Sequence, residues 1–326
     1  MLPRRKLLAA LPPIAGSLAL PGLARAAGFP DRPVRMVVPF AAGGGTDVLA
    51  RILAQGLTER LGQQVVVENR TGAGGNLAMD FVVRAPADGY TVLMGTNGAV
   101  AVNRHLYTNM GFDPLKDMAP VALAFRIEHL LAVGRDVPAK DVASLVALAK
   151  AKPGELTFGS GGTGSMIHLA GELFKARTGI DITHVPYRGG GPAMNDLVAG
   201  NISMMFDSVP SALPHIEGGR ARVLAVCGTK RYPKLPNVPT MVEAGVPGYQ
   251  AASTGALFAP VGTPALVVAR LSAAVAELVA SPAYREQLGR AGGDAEHSTP
   301  ETLGQMMAAE SDTWGAVVRE AKIVAN

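Results

Sequence analysis

Two glycine-rich loops hold the residues of this chain whose type and spacing could do chemistry. Both pass from a short apolar run into a helical pattern, and they read Ala41-Ala-Gly-Gly-Gly-Thr46 and Gly159-Ser-Gly-Gly-Thr-Gly-Ser165. Glycine lets backbone amides approach a ligand, and the unpaired amides of a helix's first turn attract negative charge. Neither loop contains Lys or Arg, so each predicts a neutral donor site for a carboxylate or a phosphate. A turn that uses glycine and an N-cap hydroxyl only to begin its helix is the structural alternative.

Polar residues beside these loops are further candidates for the same site. His168 lies one turn into the helix after the second loop, where it could donate to an anion or form a structural hydrogen bond. Asp207 follows the apolar run Met204-Met-Phe206. Its carboxylate could accept from an ammonium or hydroxyl group, or form an Asx turn before the next proline. Thr96-Asn97 and Asp207-Ser208 each end a predicted strand and are expected to line the same cleft as the two loops.

The sequence lacks the residue patterns of a dinucleotide site, a serine hydrolase, a metal site or a reactive thiol. Gly159–Gly164 reads G-x-G-x-x-G, but Asp181 precedes its strand, whereas the ribose-binding acid of a dinucleotide site follows one. The sequence holds no G-x-S-x-G and no H-E-x-x-H motif. Its single cysteine, Cys227, sits in an apolar run that favours an inert core thiol. The residues therefore predict no catalytic set, no cofactor and no metal.

The charge distribution excludes a nucleic-acid binder. The chain has 326 residues, with 30 Lys and Arg against 26 Asp and Glu. The first 26 residues hold four of the basic side chains and no acidic one, so the rest of the chain is balanced. A balanced chain lacks the basic surface that gives affinity for nucleic acid. Its length and its hydrophobic content of 48% allow a large core and two domains.

The first 26 residues are typical of an export signal. Arg4-Arg-Lys6 precedes the apolar stretch Leu7–Leu20, and Ala24-Arg-Ala26 supplies small residues at a cleavage site. The apolar stretch is shorter than the roughly 20 residues of a membrane-spanning helix. We therefore predict a signal peptide over residues 1–26. The two adjacent arginines leave the general secretory route and the twin-arginine route open.

The remaining sequence alternates between strand and helix patterns, which favours an α/β fold with a mainly parallel sheet flanked by helices. Strands are predicted at 34–40, 64–68, 90–95, 156–158, 182–185, 202–206, 223–227 and 257–259, with a long apolar stretch at 120–133. Helices are predicted at 46–60, 77–84, 142–150, 165–178, 192–199, 264–280 and 301–321. Crossings near 123–128 and 224–229 would join two lobes by a hinge. Both glycine loops would then face the cleft at the carboxyl ends of the strands.

A set of longer motifs runs in order along the mature chain. It comprises Pro39-Phe-Ala-Ala-Gly-Gly-Gly-Thr-Asp-Val-Leu-Ala-Arg51, Val67-Glu-Asn-Arg-Thr-Gly-Ala-Gly-Gly-Asn76, Ala87-Asp-Gly-Tyr-Thr91, His168-Leu-Ala-Gly-Glu-Leu-Phe174, His184-Val-Pro-Tyr-Arg-Gly189, Val238-Pro-Thr-Met-Val-Glu-Ala-Gly245 and Phe258-Ala-Pro-Val-Gly-Thr-Pro264. Together these motifs resemble the Bug (TctC-type) family, the substrate-binding proteins of tripartite tricarboxylate transporters.

The resemblance implies a two-lobed periplasmic-binding-protein fold of type II, with lobe 1 formed by 27–125 and 228–326 and lobe 2 by 126–227. It implies a monomeric periplasmic receptor without enzyme activity, which closes on a small organic acid and delivers it to membrane permease subunits. A receptor that feeds a sensor kinase and an exported enzyme acting on a carboxylate are the alternatives. The family pattern places at the ligand Phe40, Ala41, Gly43, Gly44, Gly45, Thr46, Asp47, Thr96, Asn97, Ser160, Gly161, Thr163, Gly164, Ser165, His168 and Asp207.

Two segments depart from the family pattern and bear on the identity of the ligand. Family members commonly have a tryptophan where this chain reads Ala252-Ser-Thr254, and small residues and Asn where it reads Arg126-Ile-Glu-His129. Loss of an aromatic wall could enlarge the cleft. Arg126 could bind a second carboxylate of the ligand or pair with Glu128.

Overall fold

A computed structural model describes residues 28–320 and residue 323, so the predicted signal peptide lies outside the described residues. The strands are β1 (Val34–Val38), β2 (Val65–Asn69), β3 (Thr91–Thr96), β4 (Met118–Gly134), β5 (Thr157–Ser160), β6 (Thr183–Pro186), β7 (Met204–Ser208), β8 (Ala221–Val226), β9 (Ala252–Pro260) and β10 (Gly293–Ala295). The helices are α1 (Gly45–Leu61), α2 (Asn76–Val83), α3 (Asn103–Leu106), α4 (Pro114–Asp117), α5 (Val142–Ala151), α6 (Met166–Thr178), α7 (Gly190–Ala199), α8 (Val209–Glu217), α9 (Ala265–Ala280), α10 (Pro282–Arg290) and α11 (Pro300–Glu320). A 3₁₀ turn covers Ala73–Gly75 and a π-helical turn covers Gly98–Val102.

The described strands form one mixed sheet in the order β2-β1-β3-β9-β4-β7-β5-β6, and β8 and β10 also pair with β4. The long strand β4 belongs to both halves of this sheet. Its residues 118–128 pair with β9, and its residues 129–134 pair with β7 and β8. The first half is thus β1, β2, β3, β9 and β10, and the second half is β5 to β8. The change of partner lies next to the predicted crossing at 123–128, while the lobe boundaries remain a prediction.

The predicted α/β fold class is confirmed, but parallel pairing is confined to the three outer strands of each half. Strands β2, β1 and β3 are parallel to one another, and so are β6, β5 and β7. The central strands β4 and β9 are antiparallel to their neighbours. This difference arises because β4 runs through both halves and must pair with each of them. Such long-range pairing leaves no periodic signal in the sequence.

The parallel strands of each half point their carboxyl ends at the junction where β4 changes partners, and this brings both glycine loops to the same place. Apolar side chains of β1 and β5 are buried, and the helices that follow them pack back on the sheet. In α1, Leu49, Leu53 and Leu57 recur every fourth residue and are 0–1% exposed, which forms the apolar stripe of a helix lying on a sheet. Since β1 runs in the direction of β4 and β5 runs against it, their carboxyl ends point towards each other, and α1 and α6 begin on opposite sides of the junction between the halves.

The sequence prediction misses β10, the short helices α3 and α4, and the longer helices α8 and α10. Both longer helices have proline at their first or second position, Pro210 in α8 and Pro282 in α10. Proline disrupts the interior of a helix but fits its first turn, where the missing N–H has no partner to lose.

Within residues 28–320 no single helix is long and apolar enough to cross a membrane. Only α9 and α10 together, bent by 78° at their junction, meet the length and composition requirement.

Candidate functional site

A narrow cleft between the two halves of the sheet is the candidate site. Its empty volume is about 420 Å³, part of it open to solvent. The residues that line it are Phe40, Gly44, Gly45, Thr46, Thr96, Ile127, His129, Gly161, Ser165, Met166, Ile167, Gly190, Ser208 and Ser253. They come from the ends of β1, β3, β5 and β7, from the loops and first helical turns that follow, from the middle of β4 and from the start of β9.

The N-termini of four helices point at this cleft. The lining includes the N-cap or first helical residue of α1 (Gly44 and Gly45), of α6 (Ser165 and Met166), of α7 (Gly190) and of α8 (Ser208). The first-turn amides of a helix lack backbone partners and carry the positive end of its dipole. Four such ends around one small cavity create a field that attracts an anion.

The lining itself is neutral. Among the described residues no Asp, Glu, Lys or Arg lines the cleft, and burial lowers the pKa of His129 to about 4, so its ring is uncharged near neutral pH. Hydroxyl groups lie next to apolar side chains such as Phe40, Ile127 and Met166. The cleft therefore suits a small molecule with an anionic end, held by amides and hydroxyls, and an apolar body.

The first loop is held in shape by Asp47. Its carboxylate accepts hydrogen bonds from the Gly43 amide, Asn69 Nδ2 and Arg51 Nε at 2.8–3.0 Å. Burial alone would raise the pKa of Asp47, but the hydrogen bonds from Arg51, Asn69 and Gly43 outweigh it and hold this pKa below its usual value. The carboxylate is thus fully engaged by groups of the loop, of α1 and of β2, and it does not line the cleft.

The second loop is held by two histidines. His168 Nδ1 accepts from the Gly164 amide at 3.2 Å, and Ser160 Oγ lies 2.6 Å from His184 Nε2. The two rings pack against each other with centroids 4.1 Å apart. Burial lowers the pKa of His168 to about 3, with a further contribution from His184, and it lowers the pKa of His184 to about 4. Both rings are neutral supports behind the loop. Ser165 caps α6 by accepting from the His168 amide at 3.3 Å.

The structure brings part of the predicted residue set to the cleft and places the rest around it. The predicted residues that line it are Phe40, Gly44, Gly45, Thr46, Thr96, Gly161 and Ser165. Those that do not are Ala41, Gly43, Asp47, Asn97, Ser160, Thr163, Gly164, His168 and Asp207. Asn97 shows the cause, because it follows Thr96 and faces the opposite side, where its Nδ2 donates to the Ala252 carbonyl and to Glu310.

Asp207 lies directly behind the lining. It is fully buried, and its Oδ1 accepts from the Ser208 amide at 2.8 Å. Burial raises the pKa of Asp207 to about 6. A methyl group added to Gly190 would lie 3.0 Å from the same oxygen, so the carboxylate packs against the start of α7. Its place is behind Gly190 and Ser208, not in the cleft.

Arg126 lies on the other side of β4 from the lining residues Ile127 and His129. Its Nε donates to Glu296 at 2.9 Å. Glu296 follows β10, the strand whose Asp294 pairs with Arg126 in the sheet. Neither expectation for Arg126 is met, since it bonds to Glu296 rather than to Glu128 and does not line the cleft.

Sequence reasoning misses nearly half of the lining. The missed residues are Ile127, His129, Met166, Ile167, Gly190 and Ser253, whereas Ser208 lines the cleft as expected for a residue that ends a strand. Gly190 carried a usable signal, because Gly189-Gly-Gly191 is a third glycine run before a helix. Ser253 and His129 lie in the segments that depart from the family pattern. Their position on the floor of the cleft depends on strand pairing, which the sequence does not reveal.

Loops of the two halves touch in front of the cleft, so the structure is in a closed state. The Ala41 amide donates to the Arg188 carbonyl at 2.9 Å, and Tyr107 Oη donates to the Thr163 carbonyl at 2.8 Å. A Cβ added to Gly74 would lie 2.1 Å from that same Thr163 oxygen. Ala41 and Thr163, both predicted to bind ligand, thus take part in closure.

Comparisons with known proteins agree with this geometry. Residues 49–323 match the tripartite tricarboxylate transporter family receptor, TctC. The chain is 38% identical over 293 residues to protein BugT of Bordetella pertussis, which covers 90% of each chain. A structure of Rpa4515 from R. palustris with adipate has 42% identity and a TM-score of 0.88, covering 91% of this chain and 99% of that one. MatC from Rhodopseudomonas palustris with bound malate has 35% identity and a TM-score of 0.85, covering 89% and 100%.

These likenesses extend over nearly the whole described chain. They confirm the resemblance drawn from the sequence motifs and the predicted periplasmic-binding-protein fold. Members of this family are periplasmic solute-binding receptors and not enzymes. The chain belongs to the TctC, or Bug, family of tripartite tricarboxylate transporter receptors.

Proposed function

We propose that this receptor binds a small organic carboxylate in the cleft and closes around it. The observation that carries the proposal is the convergence of four helix N-termini on a lining without a charged side chain. A carboxylate there would accept hydrogen bonds from first-turn amides and from the hydroxyls of Thr46 and Ser165. The ligands of two relatives, adipate and malate, are of this chemical class.

We propose further that the closed, loaded receptor delivers its ligand to the permease subunits of a tripartite tricarboxylate transporter. Family membership supports this role. The signal-like sequence at residues 1–26 supports export to the periplasm, where a monomeric receptor would collect the acid. Closure follows from a ligand that contacts both halves, because it stabilises the closed state by its higher affinity for that state.

Thermal unfolding against a panel of acids tests the proposal. The mature protein is refolded to remove carried-over ligand and is then heated with mono-, di- and tricarboxylates. The corresponding amides and alcohols serve as uncharged controls. A ligand at 100 times its Kd stabilises the folded state by roughly 2.7 kcal/mol, enough for a clear rise in Tm. A rise confined to one class of acids supports the proposal. Equal curves with all carboxylates would reject it.

Removing hydroxyls from the two anion-binding loops is expected to weaken binding. Thr46→Val and Ser165→Ala each remove one donor and should raise the Kd of the best acid about five- to tenfold, as measured by calorimetry. Ser165→Ala should also lower stability by about 1 kcal/mol, since it removes a helix cap. Thr178→Val is the matched control, because that hydroxyl donates only to the Phe174 carbonyl of its own helix. An unchanged Kd in both loop variants would remove these hydroxyls from the site.

A further inference from the structure

The floor of the cleft carries a polar pair that the anion-binding loops do not explain. His129 lies on β4 where this strand passes from one half of the sheet to the other, and Ser253 lies on the neighbouring strand β9. His129 Nε2 is 2.8 Å from Ser253 Oγ. Both side chains line the cleft and are buried, at 1% and 7% exposure. The other ring nitrogen, His129 Nδ1, has no hydrogen-bond partner within the described residues.

The chemistry of this pair is the same in either tautomer of the neutral ring. If Nε2 carries the hydrogen, it donates to Ser253, whose own O–H is then free to donate while Nδ1 can accept. If Nδ1 carries the hydrogen, Ser253 donates to Nε2, so that Nδ1 is the free donor and Ser253 Oγ the free acceptor. The pair thus always offers one donor and one acceptor. Burial keeps the ring neutral, with a pKa of about 4.

We propose that the His129–Ser253 pair recognises a hydroxyl group of the bound acid, which makes the natural ligand a hydroxycarboxylate. The inference rests on the carboxylate receptor proposed above. A hydroxyl both donates and accepts, so it satisfies both members of the pair. A second carboxylate only accepts and an ammonium only donates, and either one leaves a buried polar atom unpaired, which costs binding free energy. An apolar part of a ligand leaves both the donor and the acceptor of the pair without a hydrogen bond.

Matched acids that differ by one hydroxyl test this inference. Calorimetry gives the Kd of malate against succinate, of 3-hydroxybutyrate against butyrate, and of 4-hydroxybenzoate against benzoate. For the pair with the tightest binding, the wild-type receptor is expected to prefer the hydroxylated acid at least about tenfold. In Ser253→Ala and His129→Gln this preference should fall to about twofold or less. The readout is the ratio of two Kd values, which a general loss of affinity does not move.

Ser165→Ala is the control, because it should weaken both acids of a pair alike and leave their ratio unchanged. Should His129→Gln fail to fold, Ser253→Ala decides by itself, since it removes a single oxygen. Tight binding of the acids with a ratio near one in the wild type would overturn this inference and leave the carboxylate receptor intact. A preference that survives in Ser253→Ala would overturn it as well. Absence of binding by every acid would reject both proposals.

Discussion

Gly74→Ala is expected to weaken ligand binding roughly 100-fold although Gly74 does not line the cleft. A Cβ at this position would lie 2.1 Å from the Thr163 carbonyl oxygen, which is backbone of the opposite half and cannot rotate away. The closed state would have to open by more than an ångström at this point. It would then lose the hydrogen bond from Tyr107 Oη to the same carbonyl and weaken the one from the Ala41 amide to Arg188.

The matched control for this variant is Gly62→Ala. Gly62 also has a positive φ, +70° against +62° for Gly74, so both substitutions strain the backbone alike. An added Cβ at Gly62 meets nothing within 4 Å. Calorimetry should show a normal Kd for the control, and small-angle scattering should show that Gly74→Ala needs about 100-fold more ligand than the control before it compacts. Normal affinity with normal compaction in Gly74→Ala would mean that ligand binding does not need the approach of these two loops.

Acidification from pH 6.5 towards pH 4 is expected to lower the free energy of unfolding by several kcal/mol. The cause is a set of buried neutral histidines, among which burial lowers the pKa of His129 to about 4 and that of His168 to about 3, from 6.5. Because each pKa is lower in the folded than in the unfolded protein, the neutral ring makes its full contribution to the free energy of unfolding above pH 6.5. This contribution is lost as the pH falls towards the folded value, on the order of 3 kcal/mol for each ring.

Asp207 acts in the opposite direction over nearly the same window. Burial raises its pKa to about 6 from 3.8, so its ionisation destabilises the folded state, and stability returns as the pH falls from 6 to 3.8. This gain in stability offsets about as much as the protonation of one buried histidine removes. In Asp207→Asn the loss of stability between pH 6.5 and pH 4 should therefore be steeper, while near neutral pH this variant should be more stable than wild type. Urea unfolding at a series of pH values measures both.

His168→Gln completes this test. Gln keeps an acceptor for the Gly164 amide but cannot take up a proton, so the variant should be less stable near neutral pH and lose less stability on acidification. A pH dependence identical to that of the wild type would assign the acid sensitivity to other groups.

Local pattern predicts the elements that create the anion site. The strand–glycine–helix transitions before α1 and α6 are visible because the apolar run, the glycines and the hydroxyl lie within a few residues of each other. The absence of Lys and Arg from these loops is also visible locally, and it predicts a neutral binding site for a carboxylate or a phosphate. The start of α7 is harder, since prediction from Pro192 misses Gly190, and with it one of the four helix ends at the cleft.

The orientation of side chains and the pairing of distant strands could not be predicted from the sequence. Asp47, Asn97 and His168 are polar and lie next to true lining residues, yet each is engaged by its own partners and faces elsewhere. Which of two adjacent polar residues faces a cleft depends on strand register, as with Thr96 and Asn97. The floor formed by His129 and Ser253 joins residues 124 positions apart, and only the pairing of β4 with β9 brings them together.

The unbroken strand β4 sets the mechanics of opening. Because one continuous backbone of 17 residues carries both halves of the sheet, the halves cannot part by the rearrangement of a slack linker alone. We expect opening to twist this strand while its hydrogen bonds to β7 and β9 stay formed. We expect amide protons near residues 126–131 to exchange slowly with solvent in both the open and the closed receptor. The stiffness of that strand, rather than diffusion of the halves, would then set how fast an acid can leave.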